Sequence, residues 1–228
     1  MRTLLKLEFF KLNLKRVVIS MMGMQIGFCF FATIAIFGAK QDGVNDFQNV
    51  IQMVVTMIID CFLIFAGILT AKIIVSEYTK RTILLLFTYS YKKREILFAK
   101  ILTIDIIIIF GALVSSIICV GYLCILDHMY NFIIGDFDKK AFALYLKQVI
   151  ILVNVLSLFV FMPISIAIIK RRESTVFISS LLMLFIVQMI ISQAASFAQT
   201  ILLANTCGIT LIMFAFMSVK RYWNRIVI

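Results

Sequence analysis

Proline, histidine and tryptophan each occur once in the 228 residues, as Pro163, His128 and Trp223, and only 14% of the chain is charged. A near-absence of proline leaves the apolar runs free to form long helices, because proline in a helix interior removes a donor and crowds the preceding turn. The lone His128 lies in a polar stretch with Asp127, Asp136 and Asp138. No motif fixes a metal geometry there, and a solvated loop accounts for the four residues. Acids are also scarce, 11 against 22 basic residues. Asp60 and Asp105 stand in separate apolar runs, without the clustered aspartates of a membrane phosphotransferase. The pattern G-x-x-x-x-G-K-[ST] is missing, which excludes ATP binding through a phosphate loop of this chain's own. The five cysteines (Cys29, Cys61, Cys119, Cys124 and Cys207) are odd in number and all sit in apolar runs. They read as small buried apolar residues, and a disulfide framework is excluded. The basic N-terminus runs on into a full-length apolar stretch without a clear small-residue cleavage site, so no cleavable signal peptide is expected.

What is plentiful is apolar: 63% of the residues, with a mean hydropathy of +1.10. Average usage is roughly half apolar and a quarter charged, so a soluble domain is excluded. A bilayer crossing takes about 20 apolar residues, and the runs predict an all-α, polytopic integral membrane protein with six transmembrane helices. The expected spans are 17–39, 50–74, 101–126, 142–169, 175–192 and 200–219. They follow an amphipathic segment, 1–16, read as a helix lying in the membrane interface. The alternative for 1–16 is a frayed basic tail that serves topology alone. The transmembrane domain is then 17–228, with a cytoplasmic loop at 75–100.

Charge placement decides orientation. With the N-terminus inside, the inner segments carry 18 of the 22 basic residues, seven of them in the stretch from Lys72 to Lys100. Outside remain Lys40, Lys139, Lys140 and Lys147 among five aspartates. Such asymmetry follows the positive-inside rule and puts both termini in the cytoplasm. It also accounts for the net charge of +11 without any nucleic-acid partner.

Within the spans, three polar residues stand out: Asp60 near the middle of span 2, with Asn154 and Gln188 in spans 4 and 5. A charged carboxylate at mid-membrane costs about 2.5–3.5 kcal/mol on insertion scales, so it should face protein or water. It is either part of a polar translocation path or a protonated group tying helices together. For Asp105, nearer the interface, the structural role is expected. Gly23 and Gly27 form a small-xxx-small pair that would let a second helix approach. Pro163 frees the carbonyl of Phe159 and is expected to bend span 4, as a hinge or as a static kink.

The loop between spans 2 and 3 carries the most specific pattern. Glu77-Tyr-Thr-Lys80-Arg81-Thr82 is followed by Leu84-Leu85-Leu86, then Lys93-Arg94-Glu-Ile96 and Ala99-Lys100. This resembles the first cytoplasmic loop of type-2 ABC exporter permeases. Arg81 stands where that family usually has glycine, and Tyr89-Ser90-Tyr91 replaces its common proline. The 45 residues 175–219 also leave little room for the family's re-entrant external hairpin between spans 5 and 6.

The resemblance implies a permease subunit in a bacterial cytoplasmic membrane, with no catalytic residues of its own. Glu77, Lys80, Arg81, Thr82 and Arg94 would couple to two copies of a separate ATPase, which hold the ATP and Mg. A second permease subunit, identical or similar, would complete the transporter. Small permeases of this kind resemble those that expel antimicrobial peptides, lantibiotics in particular, or export peptide toxins. An amphipathic or lipid-embedded cargo fits an interior without charged rings. Two other classes are carried beside this one: a motorless immunity or scaffold protein, and a membrane-embedded enzyme.

Overall fold

The computed structural model describes residues 14–41, 47–76, 93–130, 139–170, 172–193 and 197–226. Among these the chain forms seven α-helices and one π-helical turn, and no strand. In order they are α1 (Leu14–Gln41), α2 (Phe47–Thr70) with the π turn Ala71–Val75 at its end, α3 (Lys93–Tyr130), α4 (Lys139–Phe159), α5 (Phe161–Lys170), α6 (Glu173–Gln193) and α7 (Phe197–Ile226). Helices are the expected solution, because a lipid-exposed backbone must satisfy its polar groups within its own segment.

Five stretches among the described residues are long and apolar enough to cross a bilayer: Lys15–Ile34, Val50–Val75, Phe98–Leu126, Phe142–Lys170 and Glu173–Ser192. A shorter apolar helix, Gln199–Met213, follows. The 38 residues of α3 extend about 57 Å at 1.5 Å per residue, well beyond a hydrocarbon core about 30 Å thick. Its opening Lys93-Arg94-Glu95 turn therefore precedes the apolar part. Large apolar side chains point away from the protein, among them Ile26 at 72%, Phe110 at 68% and Met189 at 70% exposure. In water such a surface would be a liability; against lipid tails it costs nothing.

The run 142–169 is a single span by composition, yet its helix is interrupted at Val160, between α4 and α5. The cause lies three residues on. Pro163 cannot donate to the carbonyl of Phe159, while before it the ladder still runs as far as Val160, whose N–H donates to the Leu156 carbonyl at 3.2 Å. Pro163 is buried, so the break faces protein.

The chain divides into two units. One comprises Lys15–Cys61 and Phe110–Val153. Here the Gln25 amide of α1 donates to the Cys119 thiol of α3 at 3.3 Å. The Ser116 and Tyr145 hydroxyls join α3 to α4 at 3.3 Å. Polar side chains thus tie helices whose apolar surfaces have no preference for one another over lipid.

The other unit includes Phe62–Ile109 and Asn154–Ile228. α5 is its hub and packs against α6, α7 and the π turn, while α6 also meets the π turn and α7. Two close approaches hold it. A Cβ on Gly67 would fall 2.5 Å from the Ser180 Oγ and 2.7 Å from its Cβ. A Cβ on Gly208 would fall 2.8 Å from the Leu158 Cβ. Only glycine lets α2 meet α6, and α7 meet α4, at these distances. Phe62 and Phe65 add an edge-to-face ring pair with centroids 6.2 Å apart, a favoured arrangement of ring quadrupoles.

Candidate functional site

Most of the loop singled out by sequence, including Glu77, Lys80, Arg81 and Thr82, lies outside the described residues, as do positions 1–13 of the N-terminal segment. Arg94 belongs to the first turn of α3, with its side chain outside the described set. What is described is how the loop is held at its two ends. On the α2 side the helix widens into the π turn, closed by the Ser76 N–H donating to the Ala71 carbonyl. The Ser76 hydroxyl donates back to the Lys72 carbonyl. Ile73, Ile74 and Val75 are buried, so the turn is anchored by its apolar side while Lys72 is exposed. On the α3 side, Ile96, Ala99 and Lys100 are buried, and the Thr103 hydroxyl donates to the Ala99 carbonyl at 2.7 Å. Both ends of the loop thus rest on packed helix. π turns are rare and frequently mark functional positions.

Of the polar residues inside spans, Asp60 is half-buried near the middle of Val50–Val75. Asn154 and Gln188 are half-buried in α4 and α6. The last two share a unit, whereas Asp60 belongs to the other. The Asn154 Oδ1 and Asp105 Oδ1 atoms are buried without a hydrogen-bond partner, the condition that makes a polar group inside a bilayer costly. Gly23 and Gly27 are exposed, and a Cβ on either would meet no atom within 4 Å. Among the described residues nothing covers that face of α1. His128 is exposed near the end of α3. No group of three His, Cys, Asp or Glu with metal-binding proximity occurs among the described residues.

A cavity of about 510 Å³ opens where α2 and α6 part beyond the Gly67–Ser180 contact. Gly67, Ile68, Ala71, Lys72 and Ser76 form one wall and Glu173, Ser174 and Phe177 the other. Sequence reasoning counted Lys72 only toward topology and passed over Glu173. The available signal was an acid, Glu173, directly after the basic run Lys170-Arg171-Arg172.

The family described as ABC-2 family transporter protein matches residues 4–190, about four-fifths of the chain and including the whole connection from α2 to α3. The chain belongs to that family. An uncharacterized protein of Bacillus subtilis (strain 168), YcbO, is 27% identical over 107 residues, which cover 46% of this chain and 47% of YcbO. The match thus spans less than half the length of that relative. No solved structure matches the chain. ABC-2 family permeases are the membrane components of ABC transporters, not themselves catalytic, and normally work with ABC ATPase partners. With its multiple apolar helices, this ABC-2 family chain is a multi-pass membrane protein.

Proposed function

We propose that this ABC-2 family protein is the permease subunit of an ATP-driven exporter in a bacterial cytoplasmic membrane. The observation that carries the reading is the family match over 4–190, which takes in a strongly basic connection between two apolar helices. In this reading Glu77, Lys80, Arg81, Thr82 and Arg94 dock onto a separate ATPase, present in two copies, that holds the ATP and Mg. Closure of the ATPases draws the loops together and shifts the equilibrium between inward- and outward-open arrangements. Packed helix on either side of the loop supports force transmission, since a docked loop moves its spans only if its ends cannot slip.

Asp60, Asn154 and Gln188 are proposed to line the path. The face of α1 carrying Gly23 and Gly27 receives a second permease subunit, as small residues permit close helix contact. The cargo is an amphipathic or hydrophobic peptide of the antimicrobial, lantibiotic or toxin class, taken from membrane or cytoplasm and expelled. Copurification of the full-length chain with a coexpressed ABC ATPase, followed by ATP hydrolysis in lipid with and without such a peptide, tests the reading. A stable complex with peptide-stimulated hydrolysis is expected. Protection of cells against the peptide without any ATPase would replace this reading with a motorless immunity protein.

A further inference from the structure

The cavity between α2 and α6 has a composition that neither topology nor coupling requires. Gly67 lines it on the α2 side, and Ile68 and Phe177, 48% and 43% exposed, are the large apolar groups on its walls. Lys72 stands on one side and Glu173 on the other, both exposed, and no ion pair joins them among the described residues. Each charge suits its helix end. Lys72 is in the last turn of its helix and Glu173 in the first turn of α6, so both complement the local helix dipole. The two spans run in opposite directions, and their ends meet at the level where apolar sequence gives way to polar.

At about 510 Å³ the cavity is in the range of sites for small organic groups. A ligand suited to it has an anion for Lys72, a cation for Glu173 and an apolar part for Ile68 and Phe177. A simple anion would meet the Glu173 carboxylate; a simple cation would meet the Lys72 ammonium. A dipolar headgroup on an acyl chain satisfies all three walls.

We propose that this cavity is a binding site for a phospholipid bearing both a phosphate and a primary amine, drawn from the leaflet beside the 75–100 loop. The phosphate is held by Lys72, the ammonium by Glu173 and the Ser174 hydroxyl, and the upper acyl chain lies across Ile68 and Phe177. The primary amine is specified because its three N–H donors can reach a carboxylate and a hydroxyl together, which a quaternary ammonium cannot do. The site is independent of the cargo reading, since it asks only that the chain be in a membrane.

The test is native mass spectrometry of the full-length chain in a mild non-ionic detergent. Phosphatidylethanolamine, phosphatidylglycerol and phosphatidylcholine with identical acyl chains are titrated in turn. Binding of phosphatidylethanolamine about fivefold tighter than either of the others is expected, the worth of one partly exposed ion pair. Glu173→Gln should abolish the preference over phosphatidylglycerol, and Lys72→Gln should weaken phosphatidylethanolamine by a similar factor. The exchange Lys72→Glu with Glu173→Lys keeps both charges and should restore the preference. The preferences are ratios within one variant, and the Lys72→Gln affinity is read from the bound fraction of folded protein, so neither depends on folded yield. Water-soluble glycerophosphoethanolamine should bind far more weakly than the lipid. Indifference among the three lipids, a preference for phosphatidylglycerol, an unchanged ratio in Glu173→Gln, or undiminished phosphatidylethanolamine binding in Lys72→Gln would overturn the assignment, as would equal binding of the chainless headgroup.

Discussion

Gly67 is held to glycine by the side chain of Ser180, whose Oγ and Cβ would lie 2.5 and 2.7 Å from an added Cβ. Gly67→Val should therefore push α2 from α6 and destabilise the folded protein by about 1–3 kcal/mol, the usual cost of overpacking. A lowered melting temperature in detergent is the readout. Gly67→Ala alone should cost part of this, and adding Ser180→Gly should recover most of that loss, because the second change vacates the space the first one needs. Asp60 calls for a functional measurement instead. It is half-buried in the middle of a span, and Asp60→Asn keeps the shape while removing the ionisable group. Transport is expected to fall while folded yield and ATPase association persist. Normal transport with Asn, together with low yield for Asp60→Leu, would make the carboxyl a structural tie.

At the scale of the element, the connection from α2 to α3 is the part to disturb. Reversing both charges, Lys80→Glu with Arg81→Glu, should weaken ATPase copurification and lower transport, because an acidic docking surface would then face like charge. Insertion should survive, since the other inner lysines and arginines still set orientation. Normal copurification and transport would leave the loop a topological anchor. The helices themselves were legible in the sequence, because a span needs only length and apolarity, and runs such as 101–126 supply both without any periodic pattern. Pro163 likewise announced the interruption of α4, through the missing donor to Phe159. Packing was much less legible. The small-xxx-small rule drew attention to Gly23 and Gly27, around which the described residues leave open space. The same spacing occurs at Gly67–Ala71 and Ala204–Gly208, where Gly67 and Gly208 do make close contacts. Nothing local tells the cases apart, since the deciding atoms belong to Ser180 and Leu158, far away in sequence.

For the whole molecule, the distribution of 18 inner and four outer basic residues makes a prediction about sidedness. In a background with the five native cysteines replaced, Lys139→Cys should be labelled from outside intact cells by an impermeant thiol reagent. Lys92→Cys should be labelled only after permeabilisation. The reverse pattern would place the 75–100 loop outside and remove it from any ATPase. The candidate coupling and cavity residues were unequally legible for a related reason. Charge patterns along a loop are written in one contiguous stretch, whereas the placing of Lys72 and Glu173 on opposite walls of one cavity exists only once two spans are brought side by side.

The π turn has a consequence for how the chain tolerates changes in length. A turn of this kind holds one residue more than an α-helical turn while leaving the segments on either side facing as before. Removing one residue between Ala71 and Val75 should collapse it to an ordinary turn, with Gly67 still against Ser180 and the loop still leaving in the same direction. Removing one residue near Val55 should instead rotate everything downstream by about 100°. Folded yield should therefore survive a single deletion at the end of α2 and fail for one in its middle, so that the reading frame of the fold has slack at this one place in α2. Equal loss from both deletions would show that the π turn provides no such slack.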